Sequence, residues 1–170
     1  MSRFRWSLIV AVVALGSVSL LACGSQAAEG DAGVPEAVRL ASNSDGKGLT
    51  IKVVKSPTCG CCAKWIEHLE EAGFEVEVED SYDMAQVKAQ AGVPAAVQSC
   101  HTAMIGDYVF EGHVPVETIV RFMKERPDVK GLAVPGMPVG SQGMEMGGRV
   151  DPYDVIAFDG STTSIYESRR

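Results

Sequence analysis

Four cysteines are the residues of this chain best suited to chemistry. Cys59, Cys61 and Cys62 fall within four positions, and Cys100 lies further along the chain. Cys59 and Cys62 have the C-x-x-C spacing of redox-active dithiols. Cys61 is a third thiol between them, and three thiolates this close repel one another unless a cation lies among them. The spacing therefore predicts a metal site.

The density of thiols favours copper over zinc. Soft thiolate ligands select Cu(I), zinc or iron–sulfur clusters. Three thiols at this spacing strain a single tetrahedral zinc site, whereas thiolates bridge several Cu(I) ions, so we expect a multinuclear Cu(I) site with all four cysteines as ligands. Other donors in the chain are candidate additional ligands: His101, His113, Met137 and Met144.

Two other interpretations of the cysteines stay open. The four thiols could form two ordinary stabilising disulfides, for which three connectivities exist. Alternatively, the chain is a thiol–disulfide oxidoreductase that uses Cys59 and Cys62. Cys61 distinguishes an exchange enzyme from a metal-binding protein, because an exchange enzyme does not need a third thiol and a metal cluster does. No catalytic residue is assigned under the metal-binding interpretation.

The N-terminus predicts export and a membrane anchor. Residues 1–22 have a basic start at Arg3 and Arg5 and an apolar run that is short for a membrane span, as in a signal peptide. The run ends in Leu21-Ala22-Cys23, which resembles a bacterial lipobox with Cys23 as the lipidated residue. Residues 23–48 have the Gly/Ser/Asp-rich composition of a flexible tether. We expect a periplasmic lipoprotein, and Gly24 favours the outer membrane.

Composition limits the partners of the chain. The formal net charge is −7 over 170 residues, and nucleic-acid binding needs a basic face. Nucleic acid is therefore excluded as a partner, and metal ions are the expected ligands. Export places the thiols where they tend to oxidise or bind metal.

Residues 49–170 are predicted to form one α/β domain with a thioredoxin-like fold. Alternating and helical hydrophobic patterns give the order strand–helix–strand, helix, then strand–strand–helix, which is the order of that fold. The predicted elements are strands 49–55 and 74–80, helices 61–72 and 82–91, a strand within 95–105, a strand at 108–111 and a helix from Pro115 to before Pro127. A Gly/Pro/Met-rich irregular loop over 131–146 and a C-terminal β-hairpin, 153–158 with 162–166, complete the domain. In such folds a cis-proline in the loop before the strand within 95–105 faces the C-x-x-C, and Pro94 is expected to be that proline. Cys100 lies six residues further on, and its approach to the other thiols is expected from the fold.

Five separated motifs resemble one family. They are Ser56-Pro57-Thr58-Cys59-Gly60-Cys61-Cys62, Gly92-Val93-Pro94, Ser99-Cys100-His101-Thr102-Ala103, Tyr108-Val109-Phe110-Glu111-Gly112-His113-Val114-Pro115 and Gly131-Leu132-Ala133-Val134-Pro135-Gly136-Met137-Pro138. Together they resemble the CopG family of exported metal-binding proteins, associated with bacterial copper and silver resistance. The resemblance implies a thioredoxin-like fold, copper bound through the four cysteines, a role in copper homeostasis, and other periplasmic copper-handling proteins as partners.

The chain departs from the family at one loop position. The family loop commonly runs Gly-Ser-Pro-Gly-Met, whereas this chain has Gln142 in place of the proline. The loss of a proline should loosen the loop, which weakens the case for Met144 as a ligand and leaves the thiolate site unaffected.

Overall fold

The computed structural model describes residues 47–170. The predicted signal peptide (1–22), the lipidation site Cys23 and all of the tether except Lys47 and Gly48 lie outside the described residues. Lys47 and Gly48 form a turn in which the Gly48 N–H donates to the Gly73 carbonyl, 3.0 Å away. Within 47–170, no helix is long and apolar enough to cross a membrane.

The described part is a mixed α/β structure. The strands are β1 (Thr50–Lys55), β2 (Glu75–Asp80), β3 (His101–Ile105), β4 (Tyr108–Glu111), β5 (Gly131–Ala133), β6 (Tyr153–Asp159) and β7 (Thr162–Arg169). The helices are α1 (Gly60–Glu71), α2 (Met84–Ala91) and α3 (Val116–Glu125), with a short 3-10 helix at Ala95–Val97.

The seven strands of residues 47–170 form a single sheet in the order β2-β1-β3-β4-β5-β6-β7. β1 and β2 are parallel, because α1 crosses between them, and β1–β3, β3–β4, β5–β6 and β6–β7 are antiparallel. β4 and β5 are parallel, with α3 as the crossover. The predicted strand–helix–strand opening and both hairpins are confirmed.

The sheet is covered on both faces. Successive residues of a strand point to opposite faces, and Phe110 and Leu132 belong to one hydrophobic cluster while Val109 and Ala133 belong to the other. The larger cluster takes in the predicted apolar stripe of α1, of which Trp65 and Leu69 are fully buried.

Two predicted segments differ from the structure. Ala95 to Ile105 is not one strand, because the 3-10 helix after Pro94 delays the strand until His101. The segment after Gly131 is not irregular from its start, because Gly131–Ala133 pairs with β4 as β5. Glycine at 131 signalled a loop in the sequence, but a side chain there would collide with the Val109 carbonyl, so glycine is what allows this close pairing.

Candidate metal centre

Three of the four cysteines lie at the N-terminus of α1. Cys59 is the residue before the helix, and Cys61 and Cys62 lie in its first turn. Cys62 is fully buried, whereas Cys59 and Cys61 are half-buried. The turn that contains Pro57 therefore presents all three cysteine side chains at the N-terminus of one helix.

Cys100 meets these thiols from a separate segment. The expectation that it lies in a strand is wrong by one residue, since β3 begins at His101. Its Sγ lies 3.7 Å from the Sγ of Cys62. The four sulfur atoms of Cys59, Cys61, Cys62 and Cys100 all lie within 4.8 Å of one another. The structure thus brings together all four predicted ligands.

The structure holds the site in an oxidised form. Cys59 and Cys62 are joined by a disulfide with their Cα atoms 5.4 Å apart, and Cys61 and Cys100 are free thiols. The Sγ of Cys61 lies 3.5 Å from that of Cys59. Each sulfur of the disulfide therefore has a free thiol beside it. Four sulfur ligands become available once the disulfide is reduced.

Two histidines border the Cys100 sulfur. The Nδ1 atom of His101 and the Nε2 atom of His113 each lie 3.2 Å from the Cys100 Sγ. These two nitrogens and the sulfur form a second group of donor atoms that lie within 4.8 Å of one another. His101 also packs against Trp65, with ring centroids 4.4 Å apart and the ring planes tilted by 40°. The sequence-based candidates His101 and His113 therefore lie at the cysteine site.

The environment keeps both imidazoles neutral and the thiol protonated. Burial lowers the pKa of His101, with further lowering from His113 and from the charge of Lys88. Burial also lowers the pKa of His113. Burial raises the pKa of Cys100 to about 12, and the neighbouring Cys61 adds to this rise. A neutral imidazole is the form that binds a metal, whereas Cys100 must lose its proton to do so.

The donor set suits a soft metal ion. It consists of four sulfur and two neutral imidazole groups, and the Nε2 atom of His101 has no hydrogen-bond partner among the described residues. Sulfur with imidazole is a set that copper accepts readily. Cys59, Cys61, Cys62 and Cys100 would hold the metal, with His113 and His101 as nitrogen donors.

A buried ion pair supports the Cys100 segment from the opposite face of the sheet. Glu111, which is 0% exposed, accepts hydrogen bonds from Lys88 Nζ (2.6 Å) and Thr102 Oγ1 (2.7 Å). It also accepts one from the Ser99 N–H (2.5 Å). Thr102 and Ser99 flank the Cys100–His101 pair, so one carboxylate fixes both sides of it. Sequence reasoning missed this pair; the signal that could have indicated Lys88, though not Glu111, is its position at helical spacing from the apolar Met84, Val87 and Ala91.

The methionine candidates occupy the late loop. Met137 is 54% exposed and borders a cleft of about 490 Å³ that is lined also by Pro135, Pro138 and Tyr153. Met144 is half-buried in a turn where its N–H donates to the Ser141 carbonyl, 2.8 Å away. The role of both methionines as ligands stays a prediction.

Gln142 makes three hydrogen bonds in the loop that its replacement of proline is expected to loosen. Its backbone carbonyl accepts from His113 Nδ1 (2.7 Å), and its side-chain oxygen accepts from the Val116 N–H (2.6 Å). Its side-chain nitrogen donates to Glu117 (3.2 Å). These contacts connect the loop to His113 and to the first turn of α3.

The imidazole of His68 in α1 is 34% exposed, and its Nε2 atom lies 3.1 Å from the Glu145 carboxylate.

Known proteins resemble both the sequence and the structure. Residues 97–144 match the family described as protein of unknown function DUF411. A solved structure named copper resistance protein CopG, form 1, is 46% identical, with a TM-score of 0.68, and the match covers 72% of this chain and 98% of that one. Form 2 of that protein is 45% identical, with a TM-score of 0.69 and coverage of 73% and 100%. No curated protein matches the chain significantly.

Proposed function

The chain belongs to the CopG family of copper resistance proteins, and on that premise we propose that it binds Cu(I) and serves copper homeostasis outside the cytosol. The observation that carries this proposal is the convergence of four cysteine sulfurs, from two segments of the chain, within 4.8 Å. So many thiolates in so small a volume need positive charge among them, and Cu(I) is the soft ion that thiolates bind and bridge readily.

The compactness of the sulfur group supports a multinuclear site. With every sulfur within 4.8 Å of the others, a thiolate at one position can be shared between metal ions bound at its neighbours. Cys61 fits this role, because it lies between the two residues of the C-x-x-C pair and contacts Cys59. Zinc, which prefers four separate ligands around one ion, is the weaker candidate.

The described residues would contribute in three ways. The N-terminus of α1 brings the first three cysteines together. Burial leaves His101 and His113 neutral and able to donate nitrogen lone pairs. Cys100, with its pKa of about 12, gives up its proton on binding, so uptake of the metal should release protons. The disulfide must first accept two electrons and two protons, which frees Cys59 and Cys62 as thiols.

We also propose that the fold is thioredoxin-like. The order β1-α1-β2, α2, then β3-β4-α3 and the parallel pairing of β1 with β2 support this.

The remaining proposals concern residues 1–48: a signal peptide over 1–22, lipidation at Cys23, and a tether over 23–48 that holds the domain at the periplasmic face of the outer membrane. Periplasmic copper-handling proteins would then be its partners.

Titration of the fully reduced full chain with Cu(I) under anaerobic conditions tests the function. We expect more than one Cu(I) per wild-type chain, and fewer for Cys100→Ser and for Cys61→Ser. Cys23→Ser is the matched control, because it removes a cysteine outside the site and should leave the stoichiometry of the domain unchanged. Equal stoichiometry for wild type, Cys61→Ser and Cys100→Ser would refute a shared cluster.

One observation favours a second candidate function, thiol–disulfide exchange. The Cys59–Cys62 disulfide closes a C-x-x-C pair at a helix N-terminus, which is the setting of redox-active dithiols. An exchange enzyme would catalyse the reduction of insulin disulfides by dithiothreitol, and Cys61→Ser would keep that activity. Loss of copper stoichiometry in Cys61→Ser without insulin reduction by the wild type would reject exchange as the main role.

A further inference from the structure

A loop segment, residues 138–145, lies against the cysteine site and contacts it on two sides, at His113 and at α1. We call this segment the site loop. Gln142 is its link to His113, through the 2.7 Å hydrogen bond between His113 Nδ1 and the Gln142 carbonyl. Gly143 is its link to α1, since a Cβ atom there would lie 2.9 Å from the Cys61 carbonyl. The site loop therefore contacts both His113 and α1, the helix that carries three of the cysteines.

The bond to Gln142 determines which nitrogen of His113 carries the proton. A carbonyl oxygen only accepts hydrogen bonds, so at 2.7 Å the facing Nδ1 must be protonated. The alternative tautomer would place two lone pairs against each other at that distance. In the neutral ring with its proton on Nδ1, the other nitrogen, Nε2, keeps its lone pair. That atom lies 3.2 Å from the Cys100 sulfur.

The side chain of Gln142 holds this carbonyl in place. Its Oε1 accepts from the Val116 N–H at the first turn of α3, a donor that has no partner within the helix. Pro115, which precedes the helix, supplies no side-chain cap. The Nε2 of Gln142 donates to Glu117 in the same turn. The amide thus bridges the site loop to the helix that directly follows His113.

We propose that Gln142 is a positioning residue, whose side chain caps α3 so that its backbone carbonyl fixes His113 as the Nδ1–H tautomer with Nε2 directed at the metal site. This inference rests on the proposed function in one respect, namely that His113 Nε2 donates to copper. Ligating histidines commonly donate their other ring N–H to a carbonyl, and loss of such a partner weakens metal affinity about 10–100-fold.

The tautomer can be measured without copper. The chain contains three histidines, so nitrogen NMR of the metal-free, histidine-labelled full chain resolves each ring. We expect His113 of the wild type to be the Nδ1–H form and Gln142→Ala to show a mixture of the two tautomers. Cu(I) affinity of the reduced chain, from competition with a chromophoric chelator, should fall about 10–100-fold in Gln142→Ala.

A rescue variant and a control separate positioning from folding. Gln142→Glu combined with Glu117→Gln keeps an acceptor for the Val116 N–H and an amide–carboxylate pair, and should restore both the tautomer and the affinity. Gln90→Ala, at an exposed position of α2, should change neither. An Nε2–H form of His113 in the wild type, or wild-type tautomer and affinity in Gln142→Ala, overturns the proposal. If the wild type bound no Cu(I), the copper function would fail while the tautomer result would still decide the positioning role.

Discussion

Cys62 and Cys100 are 38 positions apart in the chain, yet their sulfur atoms lie 3.7 Å from each other. One thiol belongs to the first turn of α1 and the other to the residue before β3. β1, which leads into α1, pairs antiparallel with β3, and Lys55 at the end of β1 is the partner of His101 at the start of β3. The pairing of these two neighbouring strands is what makes the two segments meet.

The first prediction concerns the reactivity of Cys100 in the oxidised chain. Because its pKa is about 12 rather than 9.0, the thiolate at pH 8 should be roughly 1000-fold scarcer than for an ordinary cysteine, and higher intrinsic nucleophilicity offsets part of this. We expect iodoacetamide to modify Cys100 about 10–100-fold more slowly in the folded chain than in the same chain unfolded in urea. Mass spectrometry of the Cys100 peptide gives both rates.

The pH dependence of the two modification rates distinguishes the raised pKa of Cys100 from steric shielding of its thiol. Between pH 8 and pH 10 the folded thiolate population keeps rising while that of the unfolded chain levels off, so the rate ratio should narrow by about tenfold. A ratio that stayed constant with pH would mean that burial blocks the reagent and that the thiol is not unusually hard to ionise.

The second prediction concerns Gly143, where the site loop meets α1. Its φ is +81°, and a Cβ there would lie 2.8 Å from the Trp65 backbone nitrogen. Gly147 also has a positive φ, +66°, but has open space around it. Gly147→Ala should therefore lower the free energy of unfolding only by the cost of the left-handed conformation, about 1–2 kcal/mol. Gly143→Ala should lower it by about 1–3 kcal/mol more, because of the clash.

Urea unfolding of both alanine variants checks this difference. Gly143→Ala should also weaken Cu(I) binding, because the loop must move away from the helix that carries the cysteines, whereas Gly147→Ala should not. Equal losses of stability in the two variants would mean that the site loop does not pack on α1 as the structure has it.

The third prediction concerns the buried pair of Lys88 and Glu111. Their side chains are 6% and 0% exposed. Lys88→Met leaves a buried carboxylate without its counter-charge, which should destabilise the fold by about 3–5 kcal/mol. Lys88→Met with Glu111→Gln removes both charges while Gln keeps an oxygen for Ser99 and Thr102, so most of the stability should return.

Chemical denaturation of the single and double variants measures both effects. Lys64→Met, at an exposed position of α1, is the control and should change stability by less than about 0.5 kcal/mol. The explanation fails if the double variant is no more stable than Lys88→Met alone.

The sequence predicted the local elements well because their periodicity was clear. The apolar stripe of α1, with Cys62, Trp65, Ile66 and Leu69, is buried as expected. Along β2 the alternation matches burial only in part, because Glu75, Glu77 and Glu79 are exposed but so is the apolar Val78. Hydrophobic burial acts on these patterns directly, so they can be recognised in a single sequence.

The parts that the sequence did not predict depend on contacts between distant residues. Nothing near Glu111 indicates that its carboxylate is buried, since Lys88 lies 23 positions before it. Gln142 lies 29 positions after His113, and as a replacement for proline it was expected to loosen the loop in which it makes three hydrogen bonds. The strand β5 was missed because its first residue is a glycine, which serves there for close strand pairing.

X-ray absorption at the copper edge of the reduced, Cu(I)-loaded full chain tests the central claim most directly. We expect mainly sulfur ligands around copper, a copper–copper scattering path in the wild type, and a loss of sulfur ligands in Cys100→Ser but not in Cys23→Ser. A first shell of nitrogen and oxygen alone, or a spectrum that Cys100→Ser leaves unchanged, would contradict a copper site built from these four cysteines.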